Sequence, residues 1–111
     1  MEFDTIEKTW CEGLITYREV IVGGHRGFYI EIPAGISTDS MVVDTESIAI
    51  YHIRGMGTLY VEAVVNKEIV QHIIDIPSEG TENLITILGT GATYEFRSDD
   101  ILFLNVLIII Q

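Results

Sequence analysis

Along most of this chain apolar and polar residues alternate with a period of two, and no window places apolar residues at helical spacing. Runs rich in Ile, Val and Tyr are bounded by clusters of Gly, Pro, Ser and Asp, as strands bounded by turns are. The pattern predicts strands at Leu14 to Val22, Gly27 to Ile32, Ser47 to Ile53, Thr58 to Asn66, Glu68 to Ile76, Leu84 to Leu88, Ala92 to Arg97 and Ile101 to Ile110. With about eight strands the fold class is all-β, a single antiparallel β-sandwich of jelly-roll-like path.

Turn chemistry orders these strands. Gly23-Gly24 supplies the positive-φ freedom of a tight reversal, with His25 and Arg26 at its tip. Asn66-Lys67 separates two alternating runs by the two residues of a hairpin turn, although Lys suits the second position less well than Gly. Ile30-Glu31-Ile32-Pro33-Ala34-Gly35 is echoed by Ile74-Asp75-Ile76-Pro77-Ser78-Glu79-Gly80, where Pro ends the ladder and Gly lets the chain turn. The polar start of Ile36 to Asp44 reads as the long connection between sheets that a jelly roll needs.

The last run breaks the alternation. Phe103, Asn105, Leu107 and Ile109 share one face, and Leu104, Val106, Ile108 and Ile110 share the other, so both faces are apolar. A strand of a small sandwich normally shows water one polar face, so something must cover this one: a second copy, another protein, or an N-terminal arm of the same chain. The expectation is an oligomer interface built from Phe103, Leu104, Val106, Leu107, Ile108, Ile109 and Ile110. The same run is too short for a spanning helix, which requires about 20 apolar residues.

The chain has 111 residues, one domain's worth, with residues 1–13 readable as an N-terminal arm. Six Lys and Arg against 17 Asp and Glu leave a net charge of −11, and no basic stripe is present to neutralise a phosphate backbone. Neither nucleic acid nor an anionic membrane is an expected partner. Cys11 is alone and reads as a small buried apolar group. Met1-Glu2-Phe3-Asp4 lacks the positive and apolar regions of a signal peptide, so synthesis in a cytoplasm is expected.

No catalytic constellation emerges. A cupin-type metalloenzyme would carry two His one residue apart with a carboxylate after them, whereas His25, His52 and His72 are solitary. Gly55-Met56-Gly57 and Gly89-Thr90-Gly91 lead into strands rather than helices, so they are turns and not phosphate loops. No nucleophile elbow occurs, and Asp44-Thr45-Glu46 lacks the Gly of an aspartic-protease signature. No enzyme activity and no cofactor are expected. Calcium would draw on Asp99-Asp100 or on Asp39, Asp44 and Glu46, though turn-forming bonds also account for Asp99-Asp100. Sugar binding would use Trp10, Tyr17, Tyr29, Tyr51, Tyr60 or Tyr94, most of which also read as half-buried strand residues. Trp10 reads as a plug over one edge of the core.

Several phrases taken in order, Gly57-Thr58-Leu59-Tyr60-Val61-Glu62, the Val65 to Val70 hairpin, Ile76 to Glu82 and Gly91 to Leu102, resemble the small β-sandwich modules of tailed-bacteriophage virion proteins, such as decoration, head-fibre and tail proteins. The resemblance spans about Ser47 to Ile110 and consists of strand-and-turn phrases. It implies a non-enzymatic virion component, assembled in the host cytoplasm, that forms a symmetric oligomer, a trimer by preference, and docks on a capsid or tail protein. The alternative expectation is a carbohydrate-binding module of the same fold class, with or without calcium.

Overall fold

A computed structural model describes residues 3–79, 82–86 and 88–111. Gly80 of the second Pro-to-Gly echo, Thr81, and Ile87 of the predicted Leu84 to Leu88 strand lie outside the described residues, as do Met1 and Glu2. The strands are β1 (Thr5–Glu12), β2 (Ile15–Val22), β3 (His25–Ile32), β4 (Met41–Val42), β5 (Ile48–Gly55), β6 (Gly57–Val65), β7 (Glu68–Ile76), β8 (Glu82–Thr86), β9 (Thr93–Ser98) and β10 (Leu104–Ile110). They form a six-stranded sheet, β1-β2-β3-β10-β5-β8, and a four-stranded sheet, β4-β9-β6-β7. Every pairing is antiparallel, and the two sheets pack as an all-β sandwich.

Eight of these strands match runs predicted from the sequence. The other two, β1 and β4, were not expected. The predicted arm is largely the edge strand β1, paired with β2 from Thr5 to Glu12 and exposed along nearly its whole length, so no apolar period marks it. β4 is only two residues long, inside the predicted connection. That connection is stitched to β9: the Thr38 amide donates to the Phe96 carbonyl at 2.8 Å, and the Phe96 amide donates to Thr38 Oγ1 at 3.0 Å.

The core lies between the sheets. The larger sheet contributes Ile30, Ile32, Ile50, Leu104 and Val106, and the smaller one Leu59, Val61, Ile76 and Phe96, all essentially without solvent contact. The Asn66-Lys67 hairpin forms as read, while the Gly23-Gly24 turn is tighter than read, since His25 and Arg26 lie in β3 opposite Val22 and Ile21 rather than at the tip. Asn66 and Lys67 both adopt positive φ, 52° and 65°, the geometry of a type I′ turn.

One corner joins the layers. Gly55 ends β5 in the larger sheet and Gly57 opens β6 in the smaller one, so the chain changes sheet across Met56 alone. The Met56 amide donates to the Phe103 carbonyl at 3.0 Å, and the Asp99 amide donates to the Met56 carbonyl at 2.9 Å. His52 is fully buried, and its Nε2 donates to the Gly55 carbonyl at 2.8 Å. A Cβ on Gly55, whose φ is +92°, would fall 1.9 Å from the Phe103 carbonyl oxygen, and one on Gly57 would fall 2.1 Å from that of Arg97. The Phe103 oxygen is tied to the Met56 amide at the corner, and Arg97 lies within β9, so neither can retreat freely. Gly55→Ala is therefore expected to lower the unfolding free energy by roughly 2–4 kcal/mol, read as a denaturant midpoint shift at unchanged slope.

Candidate functional site

Six of the seven residues of the predicted interface lie on β10, at the centre of the larger sheet, and Phe103 leads into it. β10 lies between β3 and β5, and its Leu104, Val106, Ile108 and Ile110 face the other sheet. Ile101 and Leu102 precede the strand in a turn capped by Asp99, whose Oδ2 accepts from their amides at 2.9 and 3.2 Å, so the strand starts at Leu104 and not at Ile101. The opposite face is covered from within the chain. Leu107 has no solvent exposure, with Tyr29 beside it on β3 and Tyr51 beside it on β5. Phe3 lays its ring edge-on against Tyr29, centroids 5.2 Å apart, and Asn105 Nδ2 donates to the Tyr29 hydroxyl at 3.0 Å. Ile109 is half-buried, and Phe103, ahead of the strand, is exposed. The apolarity of β10 is thus met largely inside one chain, because a central strand is flanked by side chains on both sides.

Besides Ile101, Leu102 and Phe103 in the turn before β10, an exposed apolar patch lies on regular strands, on the outer face of the smaller sheet. Val64 on β6 and Ile69 and Ile73 on β7 are 69, 66 and 71% exposed, and Tyr60 borders them. Val64 sits opposite Ile69 and Tyr60 opposite Ile73, with the polar pair Glu62 and Gln71 between them. Gln71 Nε2 donates to Glu62 Oε2 at 2.9 Å. Sequence reading missed this face because Val64, Ile69 and Ile73 each adjoin an inward apolar residue, Ala63, Val70 and Ile74, so the outward positions merge into apolar runs.

At one side the sheets part around a cleft of about 350 Å³ lined by Trp10, Glu12, Tyr17, Phe28, Asp39, Met41 and Tyr94. β1 pairs with β2 so that Trp10 stands opposite Tyr17, and their rings stack at 5.4 Å and 10°. Phe28 meets Trp10 edge-on at 6.2 Å. Tyr17 and Tyr94 are buried, and burial pushes each phenol from 10.0 up to about 12. The carboxylates of Glu12 and Asp39 add to the rise at Tyr17, and Tyr17 and Asp44 to that at Tyr94. The cleft therefore combines flat aromatic walls, two neutral phenols and a negative rim. Of the six aromatics singled out in the sequence, it gathers Trp10, Tyr17 and Tyr94. Tyr29 and Tyr51 lie on the outer face of the larger sheet and Tyr60 on that of the smaller one.

The remaining candidates disperse. His25 and His72 are exposed on β3 and β7, while His52 is buried at the sheet corner. Among the described residues no three His, Cys, Asp or Glu lie together to hold a metal ion. Asp99 serves as a turn cap, and Asp100 lies 3.6 Å from Arg97. Cys11 is exposed on the edge strand rather than buried, because β1 is too peripheral to enclose it. No helix of the described residues is long and apolar enough to cross a membrane.

No protein-family model matches the chain, and no curated protein matches it. Solved structures do. The Drosophila melanogaster CENP-C cupin domain aligns with a TM-score of 0.65 and 14% identity over 99% of this chain and 81% of that one. The fold is that of the cupin domains. CapF, a capsular polysaccharide assembling protein of Staphylococcus aureus, aligns with a TM-score of 0.65 and 14% identity over 92% of this chain but only 29% of its own. A cupin-2 domain protein of Rhodospirillum rubrum gives 0.63 and 15% over 95% of this chain and 66% of that one. The solitary histidines thus sit within a cupin fold, which at these identities extends to architecture alone.

Two outcomes check this account. Leu107→Ala should cost about 2–4 kcal/mol of stability in a monomer, the range for truncating a buried Leu, measured by chemical denaturation at low protein concentration. Because the two phenols titrate higher in the folded chain than when unfolded, folding favours their protonated forms. That stability is complete below about pH 10 and is lost as pH rises towards about 12. Denaturation midpoints should fall across that window, less steeply in Tyr17→Phe, and ultraviolet titration should show two late-ionising phenols.

Proposed function

We propose that this protein is a non-enzymatic interaction module that associates with copies of itself and docks on a protein surface. The observation that carries the reading is the apolar outer face of the smaller sheet, where Val64, Ile69 and Ile73 stand about two-thirds exposed on regular strands. Apolar side chains held rigidly in water mark interaction surfaces, and nothing within the described chain covers these. The space between the sheets is filled by Leu59, Phe96, Leu104 and Val106, which suits a scaffold better than a reaction chamber. A domain of the same fold, Drosophila CENP-C, has been solved bound to another protein, CAL1. The sequence resemblance supplies the setting we propose, a virion in which an oligomer, trimeric by that analogy, docks on a capsid or tail protein.

The cleft supports a second reading, carbohydrate binding, since stacked aromatic walls beside Glu12 and Asp39 match the apolar faces and hydroxyls of a sugar. Trp10 is the single Trp, so its emission reports on this cleft alone.

Light scattering and native mass spectrometry across the micromolar range should show an oligomer that tightens as salt rises, because a charge of −11 on each copy opposes association until screened. A monomer at every concentration would sink the assembly reading. A glycan that shifts Trp10 emission, and loses its effect in Asp39→Asn, would favour the second.

A further inference from the structure

Sheets end in edges, and an edge strand offers unpaired N–H and C=O groups to any strand that meets it. Three of the four edges here are blunted. β1 carries a register shift between Ile6 and Lys8, with the Lys charge at that point. β4 has two residues, and β8 has five with a bulge at Leu84. β7 is different. It runs for nine residues, pairs with β6 without a register shift, contains neither Lys nor Pro, and has no partner on its other side among the described residues. It also bears two of the most exposed isoleucines of the chain.

The groups this edge presents follow from the turn. In a two-residue hairpin the flanking residues Val65 and Glu68 form a hydrogen-bonded pair, so N–H and C=O of Glu68, Val70, His72, Ile74 and Ile76 point toward β6. Those of Ile69, Gln71, Ile73 and Asp75 point away, and the same four side chains lie on the outer face.

We infer that β7 pairs antiparallel with β7 of a second copy about a two-fold axis through Gln71, joining two four-stranded sheets into one of eight strands. This specifies the partner of the assembly reading and rests on it, with a two-fold dimer as the unit in place of the trimer that the resemblance implies. Parity allows several registers, and side-chain chemistry selects among them. With Gln71 opposite Gln71 of the second copy, Ile69 faces Ile73 twice, and Asp75 comes level with Lys67, opposite in charge. The rows across the outer face then continue unbroken: Val64 and Ile69 run into Ile73 and Tyr60 of the second copy, and Glu62 and Gln71 run into Gln71 and Glu62. Gln71 donates one amide hydrogen to Glu62 within its own chain, leaving the other hydrogen and its carbonyl for the facing Gln71. A shift by two positions sets Ile against Gln and Lys in one direction and against Gln and Asp in the other. Cross-strand pairs of like kind stabilise a sheet and mixed ones do not, so the sequence of β7 is self-complementary in one register.

The test uses the full chain with Cys11→Ser, so that introduced thiols are alone. Gln71→Cys should form a disulfide-linked dimer on mild oxidation, since facing Cα atoms in a hydrogen-bonded antiparallel pair stand about 5.5 Å apart, within disulfide reach. His72→Cys, offset from its counterpart in this register, should cross-link far less. Ile73→Lys should weaken association at least about tenfold while leaving circular dichroism and melting unchanged, because its side chain is exposed in one copy. Efficient cross-linking at His72 without Gln71 would overturn the register. An oligomer that survives Ile73→Lys and cross-links at neither position would remove the β7 contact and leave the assembly reading standing. A strict monomer would remove both and return the edge to a strand from a different protein.

Discussion

The structure depends on β10 filling the slot between β3 and β5. Those two strands are separated in sequence by the connection to β4 and the β4 strand itself, and no turn holds them side by side. β10 supplies backbone hydrogen bonds to both, from Leu104 to Ile109 against β3 and from Leu104 to Ile110 against β5. Without it the larger sheet falls into a three-stranded meander, β1 to β3, and a β5–β8 pair, each with an open edge. The corner at Gly55-Met56-Gly57 depends on it too, because the Met56 amide is held by Phe103, the residue that leads into β10.

That position explains what the sequence did and did not reveal. Strands with one more polar face announced themselves, as β3 and β9 do, because half-burial writes a period of two. β1 is exposed along nearly its whole length, and its Ile6 and Trp10 are too far apart to write an apolar period, so pairing with β2 at the edge left no signal to read. β10 wrote the opposite signal, and its greasy second face reads as a demand for a partner until Tyr29, Tyr51 and Phe3 are seen around Leu107. Those three belong to distant segments, and only the strand order brings them together.

The cleft was hidden for the same reason. Trp10, Tyr17, Asp39 and Tyr94 come from four segments, none of which carries a motif. The antiparallel register of β1 and β2 turns an isolated Trp into one half of an aromatic stack, and the long connection lays Asp39 beside it. The missing paired histidines, by contrast, were no guide to architecture, since a cupin fold holds here with an interior of Leu, Val and Phe.

The order in which the chain is made gives β10 a further meaning. It follows the other nine strands, so during translation β3 and β5 wait with bare edges until the tenth strand has cleared the ribosome. The larger sheet therefore closes late, in one long-range event, and the nascent protein spends that interval as two partial sheets with apolar inner faces in water. A chain charged at −11 is suited to such a wait, because mutual repulsion keeps unfinished copies apart while the last strand is on its way.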